Sequence, residues 1–284
     1  MRLLAILVTL ALGCGGDPAP EPLETTFGGS RPVELAVPAD YDATSPAPLL
    51  IVLHGHSVTG AVQLAYTRLG GLVDSHGFLV MGPDGLVNEE GNHYWNATDA
   101  CCDFYDSNVD DASYIRGLID EVSAEYSVDP KRIFLWGHSN GGFMSYRMAC
   151  DYSETIAGIV SLAGATHFDA SDCGATEPVN ILQIHGDLDS TVPYAGDVDF
   201  PSVDATLAQW ITLNNCGDTR TVLGERLDLD RNVEGDETRM ETQDGCPEGG
   251  GVDHWVIEGG EHIPGLRPNF DDLMGGWFSA HAKP

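Results

Sequence analysis

The feature that most limits what this chain can fold into is a series of short apolar runs, each ending in glycine or turn residues: "PLLIVLHG" (48–55), "GFLVMGPDG" (77–85), "RIFLWG" (132–137), "IAGIVSLAG" (156–164), "ILQIHGD" (181–187) and "VDHWVIEGG" (252–260). Most are continuously apolar instead of alternating, the pattern of strands covered on both faces, which is a parallel-sheet pattern. Between them lie segments with helical spacing. In 109–130 acids stand at the start, where they suit the helix dipole, and Ile115, Leu118, Ile119 and Val122 share one face. Helices also fit 142–151, 202–214 and 270–281, and "RPVELAVPADY" (31–41) reads as an antiparallel strand ahead of the series. Strands alternating with helices make an α/β fold with a mostly parallel central sheet, and no repeat or second strand set calls for another domain. The Asp-, Glu- and Gly-rich region 217–251 reads as a surface hairpin or loop insertion.

Export is written at the N-terminus. "MRLLAILVTLALGCGG" has one Arg, an apolar run from Leu3 to Leu12 and then small residues. A run of roughly ten residues is too short to span a bilayer and suits a signal-peptide core. Ala11-Leu12-Gly13-Cys14 resembles a bacterial lipobox, with residues 1–13 as signal peptide and Cys14 as lipidated mature N-terminus; an ordinary secretory signal is the alternative. Of seven cysteines, setting Cys14 aside leaves Cys101, Cys102, Cys150, Cys173, Cys216 and Cys246, an even set suited to disulfides in an oxidising compartment. No C-x-x-C pair occurs, which argues against a zinc site. Residues 14–30, with "GGDPAPEPLE" at 15–24, read as a flexible tether, leaving 31–284 as the single catalytic-size domain. A net charge of −31 with only 13 basic residues excludes nucleic-acid and anionic-membrane binding as a primary role, because phosphate recognition needs clustered Lys and Arg. Contact with a membrane is expected only through the N-terminal lipid.

The chemistry centres on "RIFLWGHSNGGFM" (132–144), where an apolar strand runs into Gly137-His138-Ser139-Asn140-Gly141 and then into an amphipathic segment. This is G-x-S-x-G at a strand-to-helix turn, the nucleophile elbow of the α/β-hydrolase fold. A serine hydroxyl needs an imidazole to take its proton and a carboxylate to orient that imidazole, in the chain order Ser, acid, His. Asp187 and Asp189 both follow the strand of 181–187; Asp189 is preferred as the acid, since the turn after His185-Gly186 carries it beyond the sheet edge, with Asp187 left to hold the loop or face solvent. His262, on the Gly-rich loop after the last strand, is the expected base, with His254 inside that strand as its competitor. The oxyanion hole is expected from the backbone N–H of Asn140 and from that of His56 or Ser57 in "LHGHSVTG". Trp95, Tyr94 and Tyr194 are candidate walls of the acyl pocket. His54 and His185 each precede a glycine at a strand end, where a structural role is expected, so no metal and no other cofactor is called for.

From about Pro32 onward the chain resembles the polyhydroxybutyrate depolymerase and feruloyl esterase-like branch of the α/β-hydrolases. The resemblance rests on "LHGHS", "PDGL" (83–86), "YWNATDACC" (94–102), "VDDASYIRGLIDEV" (109–122), "VDPKRIFLWGHSNGGFMSYRMAC" (128–150), "HGDLDSTVPY" (185–194) and "GGEHIPG" (259–265). It implies Ser139 as nucleophile, Asp189 as acid and His262 as base. It also implies a Cys216–Cys246 disulfide and one joining Cys101 or Cys102 to Cys150 or Cys173. Its closing motif commonly reads G-G-x-H-x-W-P-G, whereas His262-Ile263-Pro264-Gly265 is one residue shorter and lacks the Trp. The expectation is a secreted or lipid-anchored serine esterase acting on feruloyl or acetyl polysaccharide esters or on a polyester. Its rivals are a prolyl-oligopeptidase-type peptidase and a non-catalytic surface-anchored binding protein of the same fold.

Overall fold

The structure, a computed structural model, describes residues 23–103 and 107–284. The signal sequence, Cys14 and most of the tether lie outside the described residues. In chain order the elements are β1 (Thr26–Phe27), β2 (Val33–Ala36), β3 (Ala47–Leu53), α1 (Gly60–Thr67), α2 (Leu72–His76), β4 (Leu79–Met81), β5 (Leu86–Val87), β6 (His93–Tyr94), α3 (Asp111–Glu125), β7 (Val128–His138), α4 (Asn140–Asp151), β8 (Gly158–Leu162), β9 (Asn180–Gly186), α5 (Val203–Leu213), β10 (Arg220–Leu227), β11 (Thr238–Gln243), β12 (Val252–Ile257) and α6 (Phe270–Ala280).

Ten strands form one sheet in the order β1-β2-β4-β3-β7-β8-β9-β12-β11-β10, and β5 and β6 form a separate small hairpin. The six strands from β4 to β12 in that order are parallel; β1, β2, β11 and β10 join antiparallel at the two ends. The continuous apolar runs follow from coverage on both faces. Leu49, Ile51, Leu53, Ile133 and Leu135 point to the layer holding Ile115, Leu118, Phe143, Met148, Leu207 and Trp210, from α3, α4 and α5. Their neighbours Leu50, Val52, Phe134 and Trp136 point the other way, onto Leu72, Phe270, Met274 and Phe278 of α2 and α6. Each face thus has its own core, and the strands between are hidden from water.

Several boundaries differ from the sequence expectation. Thr26–Phe27, within the stretch expected as a tether, pair with β2, and Phe27 is buried against Tyr126. The 217–251 region forms a hairpin, as one of its two expected forms, but this hairpin also extends the central sheet: β11 pairs with β12, and its buried Thr238, Glu241 and Gln243 are polar, so no apolar run marks it as a sheet strand. Helices α1 and α2 were also not expected. α3 starts at Asp111, capped by the Asp110 carboxylate, which accepts the Ser113 N–H at 2.9 Å.

Among the described residues three disulfides are present, Cys101–Cys102, Cys150–Cys173 and Cys216–Cys246. The bridge expected between the Cys101-Cys102 pair and Cys150 or Cys173 is not formed. Cys150, at the end of α4, meets Cys173 with Cα atoms 4.7 Å apart, within disulfide reach, so the adjacent pair closes on itself.

Candidate active site

Ser139 sits between β7 and α4 with φ 54° and ψ −122°, a conformation that non-glycine residues rarely adopt. The flanking glycines are required for space. A Cβ on Gly137 would strike the Gly141 carbonyl oxygen, and one on Gly141 would strike that of Leu53 on the neighbouring strand. The Ser139 N–H is tied to the Leu162 carbonyl at 2.8 Å, which fixes the elbow to β8. The Asn140 amide, first in α4, belongs to the turn whose N–H groups have no intrahelical partner.

Three distant segments meet at this elbow. His262 Nε2 lies 2.9 Å from Ser139 Oγ, and His262 Nδ1 lies 2.7 Å from Asp189 Oδ2. The fully buried Asp189 side chain is held from behind, its Oδ1 accepting the N–H groups of Thr191 (2.8 Å) and Val192 (2.9 Å) while His185 Nε2 stands 3.2 Å from Oδ2. Burial alone would raise the Asp189 pKa, but the hydrogen bonds from His185, His262 and Val192 outweigh it and hold the carboxyl well below its usual range. Asp189 is therefore a carboxylate at neutral pH, and His262 carries its proton on Nδ1, leaving Nε2 to accept from the serine.

The loop bearing His262 is itself braced. His138 donates from Nε2 to the His262 carbonyl at 2.9 Å and lies with its ring centroid 5.1 Å from that of His262. Burial, with a lesser contribution from the His262 charge, pushes the His138 pKa down to about 4, so this ring is neutral at pH 7. The Tyr66 hydroxyl donates to the Pro264 carbonyl at 2.7 Å, and the Asp187 carboxylate accepts the Gly259 N–H at 2.6 Å. Neither His138 nor Tyr66 was singled out as a loop brace from the sequence; the one available signal was that His138 is a variable position of the G-x-S-x-G motif. The competitor His254 is buried in β12 against Glu241 Oε2 (3.1 Å) and Tyr194, its pKa pushed down by burial to about 3. It makes no part of the serine site.

Of the two amides expected for the second oxyanion contact, that of Ser57 donates to the His93 carbonyl at 2.9 Å, while His56 lines the cleft over Ser139. The aromatic assignments need correction. Trp95 is fully buried, its ring tilted against that of His54 with centroids 4.9 Å apart and Nε1 donating to the His54 carbonyl, and its backbone exchanges two hydrogen bonds with the Asn140 side chain. Trp95 and the buried Tyr94 therefore pack the floor beneath the elbow, while Tyr194 packs between His185 and His254. None of the three lines the cleft over Ser139. That cleft, about 470 Å³, is walled by Val58, Val62, Tyr66 and Ile263, with His56 and Thr191 at its polar side. Val62 and Tyr66 are one turn apart on α1, a helix with no marked motif.

A family model described as phospholipase/carboxylesterase matches residues 97–215. The structure superimposes on an acetyl xylan esterase from Aspergillus awamori with a TM-score of 0.64 and 16% identity, covering 87% of this chain and 93% of that one. The chain has the α/β-hydrolase fold. In sequence, the chain is similar to feruloyl esterase D of Neurospora crassa, 26% identical over 271 residues that make up 90% of this chain and 83% of the relative. It is related also to poly(3-hydroxyalkanoate) depolymerase C of Paucimonas lemoignei, 30% identical over 148 residues, 49% of this chain and 33% of the relative. Other curated relatives match over 68–84% of this chain, which spans less than two thirds of their own length.

Proposed function

We propose that the protein is an extracytoplasmic serine esterase, with Ser139 as nucleophile, His262 as base and Asp189 as the residue that fixes the imidazole. The observation that carries this reading is the continuous hydrogen-bonded chain from Ser139 Oγ through His262 to a buried, ionised Asp189, placed at a strained strand-to-helix turn. Ser139 Oγ attacks the ester carbonyl as its proton passes to His262 Nε2. The developing oxyanion is received by the backbone N–H groups of Asn140 and His56. His262 then protonates the departing alcohol, and water activated by the same imidazole releases the acid from the acyl-enzyme.

The apolar wall of Val58, Val62, Tyr66 and Ile263 suits an acyl group with a hydrophobic or aromatic body, as in feruloyl esters, and leaves acetyl and hydroxyalkanoate esters as comparison substrates. Three disulfides support an oxidising compartment, with export by residues 1–13 and lipidation at Cys14. The test pairs p-nitrophenyl acetate, methyl ferulate and a hydroxybutyrate oligomer with a peptide anilide, on the parent chain and on Ser139→Ala. Ester turnover abolished by the substitution, with little anilide cleavage, is expected; turnover retained in Ser139→Ala contradicts the proposal. Fatty-acid labelling of cells carrying the parent or Cys14→Ala chain tests the anchor.

A further inference from the structure

Asp99, His167 and Asp172 form a second cluster, on the loop after β6 and the loop after β8, and no step of ester hydrolysis uses them. One ligand atom from each side chain lies within 4.8 Å of those of the other two. We propose that these three residues bind a divalent transition-metal ion of the zinc type, which clamps the two loops together.

The observation that points to a ligand is the state of the His167 ring. His167 is only 8% exposed, yet neither of its ring nitrogens has a hydrogen-bond partner among the described residues. Nδ1 stands 3.3 Å from Asp99 Oδ1 without hydrogen-bonding geometry. Four other buried histidines are engaged. His54 bonds the Gly55 carbonyl and the Gly85 N–H, His138 the His262 carbonyl, His185 the Val192 carbonyl and Gln183, and His254 Glu241. A buried polar group left unpaired is costly, so such an exception calls for a partner of another kind.

The contrast with a second candidate grouping among the described residues, of two histidines and one aspartate, sharpens the point. His54, Asp84 and His93 also stand within ligand reach of one another, but both nitrogens of His54 are used and the Asp84 carboxylate accepts the Gly60 N–H at 2.7 Å. That cluster is a satisfied hydrogen-bond network. The cluster at His167 is not.

Its scaffold is rigid. The two Asp99 oxygens accept the N–H groups of Phe168 (2.8 Å) and Asp169 (3.0 Å), so this carboxylate already spans from one loop to the other and keeps lone pairs to spare. Asp172 ends a 3₁₀ turn whose start is capped by Asp169, and the next residue, Cys173, is bonded to Cys150 of α4. Arg147, beside the same cavity of about 370 Å³, spends its donors on Asp151 and on the Asn96 and Ala97 carbonyls. One imidazole and two carboxylates, with no thiolate, suit zinc better than magnesium or calcium, which prefer all-oxygen shells. Water completes the coordination on the open side, where Asp99 and Asp172 are exposed.

The experiment is calorimetric titration of the full chain, stripped with EDTA, with zinc chloride and with magnesium chloride, read together with the thermal midpoint. Parent chain, Asp172→Asn and His167→Gln are compared. Asp172 is exposed, so its variant should keep the fold. The parent is expected to bind one zinc per chain with a rise in midpoint and to show no comparable response to magnesium. Asp172→Asn should lose at least the roughly 10- to 100-fold in zinc affinity that removal of even an outer-sphere partner costs. Zinc binding by Asp172→Asn as tight as by the parent, or no stoichiometric zinc binding by the parent, overturns the proposal.

Discussion

Replacing Asp189 by Asn tests the polarity of the proposed proton relay more sharply than removing the serine. Asp189 Oδ1 accepts two backbone N–H groups, from Thr191 and Val192, so the carbonyl oxygen of an asparagine is held on that side and its NH₂ group faces His262 Nδ1. Two donors cannot face each other, so Nδ1 must become an acceptor and the proton moves to Nε2, the atom that stands 2.9 Å from Ser139 Oγ. The imidazole then has no lone pair with which to take the serine proton. An inverted tautomer of this kind costs about 10⁴-fold in turnover in a well-studied serine protease, which is about 5 kcal/mol of transition-state stabilisation. The assay is kcat and KM on p-nitrophenyl acetate, with the circular dichroism spectrum and thermal midpoint as a check of folding. A folded Asp189→Asn variant is expected to retain KM within a few-fold and to lose kcat by about three to four orders of magnitude. A folded variant that keeps a tenth or more of the parent kcat refutes the reasoning.

Three further outcomes follow from the packing and charges. Trp95→Ala should destabilise the fold by about 3–5 kcal/mol in urea unfolding, as a large aromatic removed from a closed core does, whereas Ile263→Ala, whose side chain is 64% exposed, should leave stability nearly unchanged and raise KM for aromatic acyl esters. Stability should fall on the acid side, because His54 and His138, at about 4, and His254, at about 3, have folded pKa values lowered by burial from 6.5. Between pH 6.5 and about 4 the unfolded chain binds more protons than the folded one, so each contributes a loss of about 2 kcal/mol by pH 5; a urea midpoint no lower at pH 5 than at pH 7.5 contradicts this. Replacing Cys150 and Cys173 together by Ala should lower stability by about 3 kcal/mol, the loop-closure value for a separation of 23 residues, with a measurable fall in thermal midpoint.

The sequence carried the parallel sheet because its strands are apolar on both faces, a pattern that no solvent-facing strand requires. It carried the elbow for a related reason: Gly137 and Gly141 stand where a Cβ would meet a backbone carbonyl, so the spacing of small residues records the geometry. Asp189 and His262 were legible as residues at strand ends. The walls of the cleft were not, since Val62 and Tyr66 come from a short helix whose residues differ little from any packed helix, and Trp95 reads the same in a sequence whether it lines a cleft or fills a core. That the 217–251 hairpin of β10 and β11 joins the central sheet was not legible, because the buried positions of β11 are threonine, glutamate and glutamine. The cysteine pairing depended on which segments meet after folding, which spacing alone does not encode.

The reaction of the folded chain with a fluorophosphonate at neutral pH, followed by peptide mass mapping, bears on the nucleophile directly. One adduct per chain is predicted, on Ser139 in the peptide that spans β7 and α4, with labelling slowed by orders of magnitude in His262→Ala. A folded chain that takes no label, or takes it on a residue other than Ser139, contradicts the account.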